Sequence, residues 1–128
     1  MKKSIQNAEH YNWKTVCDGW YLAKNSRYTV ISEKMPPATR EDMHRHKFSD
    51  QFFYLLSGHA EMMVEDEKID LYENEGIEIK RGIWHQMINN SDQETSFLVF
   101  SSPDSHGDKQ IGSCSKQFRG LSRNTDSL

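Results

Sequence analysis

Three histidines stand in two short blocks, His44-Arg45-His46 and His85 some forty residues later. Residues two apart on a β-strand point to the same face, so His44 and His46 are placed to grip one ion, with a side chain from a neighbouring strand completing the grip. Imidazoles suit divalent Zn, Fe, Ni, Co or Mn, and an incomplete shell leaves positions for water or substrate. Gln51 follows His46 by five residues, an odd offset that one regular strand would send to the opposite face. Lys47 to Asp50 must therefore form a loop or bulge that re-aims it. The competing reading is three unrelated surface histidines serving turns, since histidine is often an amphipathic surface residue.

Such a site needs strands to carry it. From Gly19 onward, runs rich in β-formers recur: Trp20 to Ala23, Tyr28 to Met35, Gln51 to Leu56, His59 to Val64, Lys68 to Tyr72, Ile77 to Ile79, Gln86 to Ile88 and Thr95 to Phe100. Pro36-Pro37 ends the second run by removing amide donors, and Ser57-Gly58, Glu65-Asp66-Glu67, Asn74-Glu75-Gly76 and Asn89 to Asp92 mark turns. No 3.6-residue periodicity persists before residue 100, and short strands at this spacing indicate an all-β sandwich or small barrel. Residues 1 to 15 are polar and weakly patterned, with an edge strand and disorder both open. Residues 103–128 are rich in Ser, Asp, Gly and Lys and read as a mobile polar tail, with Ile111, Phe118 and Leu121 able to dock it.

At 128 residues the chain is one domain, expected to span 1–102 with an N-terminal extension. Sixteen basic against 19 acidic side chains leave a net charge of -3, which gives no electrostatic reason to expect nucleic acid or a membrane as partner. No apolar run approaches bilayer length, so a cytoplasmic location is expected. Cys17 and Cys114 lack metal or redox spacing, and a disulfide between them is disfavoured in a reducing compartment.

The stretch from Ala38 to Asn89 resembles the two signature blocks of the cupin superfamily. In that family a glycine, a His-x-His pair, a glutamate and a second glycine form the first block. Here Ala38, His44 with His46, Gln51 and Gly58 stand in those places. The second block runs glycine, Pro-x-Gly, histidine, asparagine; here Gly76, Lys80 with Gly82, His85 and Asn89 occupy it, at a shorter spacing after Gly76. The resemblance implies an all-β, antiparallel double-stranded β-helix, a jelly-roll barrel. It also implies a divalent metal ion (Fe, Mn, Ni or Zn) on His44, His46, Gln51 and His85. A homodimer paired through its sheets is expected, because Phe52 and Tyr54 make the outer face of the strand 51 to 56 apolar.

Gln51 at the glutamate place turns a carboxylate into a neutral amide, which offers a carbonyl oxygen but no charge. It either ligates directly or hydrogen-bonds an inner water or substrate. Adjacent Asp50 faces away if Gln51 faces inward. Phe53 and Met87 line the bowl, more as core than as substrate contacts. Tyr28, Glu33, Tyr54 and Glu78 are the sparse acid–base candidates, none promoted without hydrogen-bond reach. Arg40, Arg45 and Arg81 surround the expected mouth. Function reads as binding of a metal and action on, or binding of, a small polar organic molecule. Family members that resemble the chain include dioxygenases, isomerases, epimerases and decarboxylases. The alternative is a non-catalytic binding module or a structural barrel with a degenerate site.

Overall fold

Alternation decides which side of each strand is dry. The structure, a computed structural model, describes residues 1–105 and 107–112. It contains β1 (Glu9–Trp13), β2 (Cys17–Lys24), β3 (Thr29–Met35), β4 (Thr39–Arg40), β5 (His44–His46), β6 (Asp50–Ser57), β7 (Ala60–Val64), β8 (Glu67–Leu71), β9 (Gly76–Ile79), β10 (His85–Asn89), β11 (Thr95–Ser102) and β12 (Lys109–Ile111). Along β6, Gln51, Phe53 and Leu55 are buried while Phe52 and Leu56 are exposed, the two-residue period of a strand with one wet face. Burying Phe53 and Phe97 fully contributes roughly 1.5–3 kcal/mol each.

Two antiparallel sheets result. The first runs β1-β2-β3-β11-β6-β9; the second runs β12-β5-β10-β7-β8, with β4 paired to β10 beside that path. Phe53, Leu55, Phe97 and Val99 of the first meet Met62, Leu71 and Met87 of the second in one core. The described residues form a β-rich domain of two antiparallel sheets, and the expected closed jelly-roll barrel is overturned. Among the described residues neither sheet closes: β1 and β9 are the edges of one, β12 and β8 of the other. The physical reason lies in the edges. Glu67, Lys68 and Asp70 on β8, Glu78 on β9 and Glu9 with His10 on β1 are exposed, and charged edges favour water over another strand. The second sheet is also built from short pieces, β5 and β12 having three residues each and β4 two.

Two turns show what the signature positions do. Gly58 has φ +87°, and a Cβ there would lie 2.6 Å from the Glu94 carbonyl oxygen, so glycine is required. Ala38 keeps the left-handed backbone of the glycine it replaces, φ 63°, at a cost of about 1 kcal/mol. Buried Asn89 donates through Nδ2 to the carbonyls of Met35, Pro36 and Gln93, pinning the end of β10 to the turn after β3. Residues 109–111, in the stretch read as a polar tail, form β12 against β5, whereas His106, Cys114, Phe118 and Leu121 lie outside the described residues.

Candidate metal centre

The two-residue period brings His44 and His46 to the inner face of β5, and antiparallel pairing sets His85 of β10 directly opposite His44. The three rings are buried, 3%, 6% and 1% exposed for His44, His46 and His85. One ligand nitrogen from each lies within 4.8 Å of the others. An ion with bonds of about 2.1 Å holds donors at most about 4.2 Å apart, so seating one draws the rings slightly inward.

Each ring is fixed through its other nitrogen. His44 Nδ1 donates to the Asp42 carbonyl (2.8 Å), His85 Nδ1 to the Ile83 carbonyl (2.9 Å) and His46 Nδ1 to Asp108 Oδ1 (2.7 Å). This assigns the proton to Nδ1 in all three, leaving three Nε2 lone pairs for a cation. Asp108 is held in turn, its Oδ2 accepting from the amides of Phe48 and Ser49. Burial, then the charge of Lys109, pushes His44 down to about 3. Burial, then His44, pushes His85 down to about 4. Both are neutral at pH 7, as ligands must be.

Gln51 comes from the other sheet. Lys47 to Ser49 are the expected loop, and the chain crosses between sheets there instead of bulging within one. Gln51 Nε2 donates to Ser101 Oγ (2.9 Å), which turns Oε1 toward His85 Nε2 at 3.2 Å. With the His85 proton on Nδ1, two acceptors face one another, a contact that a cation between them relieves. The donor set, three neutral imidazoles and a carbonyl oxygen, suits a divalent transition metal.

His44, His46 and Gln51 line a cavity of about 270 Å³ together with Thr29, Glu33, Glu41 and Lys109, and His85 lies behind Gln51. A second lobe of about 330 Å³ shares Tyr11, Glu33, Glu41 and Lys109 with it. Glu33 accepts a hydrogen bond from the Tyr11 hydroxyl (2.6 Å). Burial, then repulsion from Glu41, pushes its carboxyl up to about 8. Burial, then Glu33, also raises the Tyr11 phenol.

Of the four acid–base candidates, only Glu33 lines this cavity; Tyr28 stacks on Phe100, Tyr54 bonds Asn74 and Glu78 pairs with Lys80. Asp50 is turned away, accepting from the Arg81 amide. Arg45 lies over Trp84 and bonds Gln110, and the cation lining the cavity is Lys109, not one of the three arginines. Sequence reasoning missed Tyr11, Glu41, Asp108 and Lys109. Tyr11 and Asp108 sat in segments read as polar and unpatterned, and no local signal marks them.

The family model for the cupin domain matches residues 31–101. The chain belongs to the cupin family. Solved structures agree on the fold of this cupin. It is similar to a sugar phosphate isomerase of the cupin superfamily from Silicibacter pomeroyi (17% identity, 80% of this chain and 75% of that one, TM-score 0.71). It is also similar to KdgF from a Halomonas species (16%, 80% and 94%, 0.74) and to a Thermus thermophilus protein (22%, 80% and 96%, 0.70). No curated protein matches the chain. Among the described residues of this cupin, no helix is long and apolar enough to cross a membrane.

Proposed function

We propose that this cupin holds a divalent transition metal on His44, His46, His85 and Gln51 and acts on a small, hydroxyl-bearing organic molecule in the cleft above them. The observation that carries the reading is the convergence of three buried imidazoles and the Gln51 carbonyl oxygen, of which His44, His46 and Gln51 line the cleft. The metal, when bound, supplies Lewis-acid polarisation of a substrate oxygen. The remaining work falls to the chain. Thr29 Oγ1, among the described residues, is the buried side-chain polar atom without a hydrogen-bond partner, and Thr29 lines the cavity. A buried unpaired hydroxyl costs about 1–3 kcal/mol, which a ligand hydroxyl would recover. Thr29, Ser101 and Gln51 stand opposite one another across β3, β11 and β6, so the floor is a polar row. Lys109 supplies positive charge at the cleft, suited to an anionic group on the ligand.

Elemental analysis of untagged, metal-loaded protein tests the reading: near-stoichiometric Fe, Mn, Ni or Zn is expected, and none after anaerobic loading overturns it. Gln51→Glu adds a charge to the shell without changing its reach, so metal loss to a chelator is expected to slow by tenfold or more. An unchanged rate would remove Gln51 from the shell.

The same proposal includes a cytoplasmic protein that pairs with a second copy, and a single domain that extends past residue 102 to take in β12. Pairing is supported by the outer face of the first sheet, where Phe52, Leu56 and Phe100 are each 42% exposed and Tyr28 stacks on Phe100. Light scattering is expected to give twice the chain mass, and Phe52→Glu with Phe100→Glu to halve it.

A further inference from the structure

Strand register sets up a device that the metal site does not use. Tyr11 on β1 is directly opposite Gly19 on β2, and Gly19 is directly opposite Glu33 on β3. Directly paired residues share a face, and the same row continues through Phe97 to Leu55, both fully buried, which makes it the inner face. Tyr11 and Glu33 are two strands apart, about 10 Å between backbones. The tyrosine spans that gap because Gly19 has no side chain: a Cβ there would sit 2.2 Å from the Tyr11 ring. The phenol thus reaches over β2 to bind one oxygen of Glu33, and Glu33 lines both lobes of the cleft.

We propose that Glu33, positioned by Tyr11 across Gly19, moves a proton to and from a hydroxy-carbonyl substrate seated between it and the histidines, an inference that rests on the function proposed above. In the forward step the carboxylate takes the proton from a carbon next to the carbonyl. The C–H bond breaks and an O–H bond forms on Glu33. The released pair makes a C=C bond as the carbonyl π pair moves onto oxygen. Returning the proton to the same carbon closes an exchange cycle; returning it to the adjacent carbon, with the hydroxyl proton passing from its own oxygen to the former carbonyl oxygen, gives the isomer. Burial and Glu41 favour the protonated carboxyl, whereas the Tyr11 hydroxyl and Lys109 favour the carboxylate; Tyr21 from β2 and Asp104 also line this cavity, and Lys14 and Asp42 line the second lobe with Glu33. That balance, with Glu33 pushed up to about 8, leaves both forms accessible near neutral pH, as an acid–base residue requires.

The test uses the full, metal-loaded chain with L-erythrulose, a ketose that stays open-chain, in D₂O, following loss of its carbon-bound proton signals by NMR. Metal content is measured on every sample. Exchange by the wild type is expected to fall about a hundredfold or more in Glu33→Gln, which keeps the acceptor for Tyr11 but cannot carry the proton, with metal content unchanged. Tyr11→Phe and Gly19→Ala, which delete or displace the phenol, are expected to retain exchange with its pH midpoint moved upward. Infrared titration of the Glu33 carboxyl band supplies the same midpoint without turnover. Full metal with no exchange, or with exchange equal in Glu33→Gln, overturns the inference and leaves the metal centre standing. Absence of metal overturns both, and an unmoved midpoint in Tyr11→Phe removes the positioning role.

Discussion

Alanine at His44, His46 and His85 together is expected to leave a protein that retains no metal through gel filtration, while each single replacement weakens binding by roughly a hundredfold or more. The magnitude follows from sharing the binding energy. Small four-ligand zinc sites contribute roughly 10–16 kcal/mol at neutral pH, so one donor in four carries about 3 kcal/mol, and 1.4 kcal/mol is about tenfold. Losing three of four donors leaves Gln51 alone. Metal-linked stabilisation disappears in parallel: at a free concentration a thousandfold above Kd, a metal that binds only the folded state adds about 4 kcal/mol. Melting with and without added metal should separate clearly for the wild type and coincide for the triple variant. Retention of stoichiometric metal by that variant would place the site elsewhere. His46 is the single position where a second variant sharpens the result, because its Nδ1 bond to Asp108 is the one made to a side chain instead of a backbone carbonyl.

Acid is expected to destabilise the metal-free protein by a few kcal/mol between about pH 6 and pH 4. His44 and His85 titrate in the folded state near 3 and near 4, far below the ordinary value of 6.5, because burial penalises the imidazolium and the neighbouring charges add to it. The unfolded chain therefore binds more protons than the folded one in this window. Stability is fully present above pH 6.5 and is lost as pH falls toward the folded values. Each histidine costs about 1.4 kcal/mol per pH unit, so the pair costs about 2.7 kcal/mol per unit. Two units cost about 5 kcal/mol, of which Glu33 offsets about 2 kcal/mol between pH 6 and 4.5, so the net loss of about 3 kcal/mol is a large share of a marginal domain's stability. Glu33 acts with the opposite sign: its carboxyl is raised to about 8, so its contribution is full below 4.5 and is lost as pH rises through 8. A stability maximum near pH 6 to 6.5 follows for the apoprotein, and bound metal moves the acid limb downward by opposing protonation of its ligands. Denaturant melts across pH 4 to 8 measure both limbs; a flat acid limb would mean that the histidines are not held in dry surroundings.

How much of this was legible in the chain depends on whether the signal is local. The i, i+2 spacing of His44 and His46 needs nothing but the strand period, and it put both rings on one face. Alternation along residues 51 to 56 separated Gln51, Phe53 and Leu55 from Phe52 and Leu56, as the burial of β6 shows. The odd offset of Gln51 required a loop, and one is there. Closure was another matter: a run of short strands is compatible with open or closed sheets, and the edges at β1, β9, β12 and β8 depend on which strands pair.

Residue types and their two-residue period thus determined a β-rich chain with three convergent histidines, because strand geometry is written into each segment alone. Only the tertiary structure decided that Gln51 reaches the histidines from the opposite sheet. It also decided that Asp108, far along the chain, fixes His46, and that Tyr11, Gly19 and Glu33 stand in one row. Each of these rests on the register between strands distant in sequence. Register is set by the packing of the whole core, and a one-residue slip would send every one of those side chains to the other face.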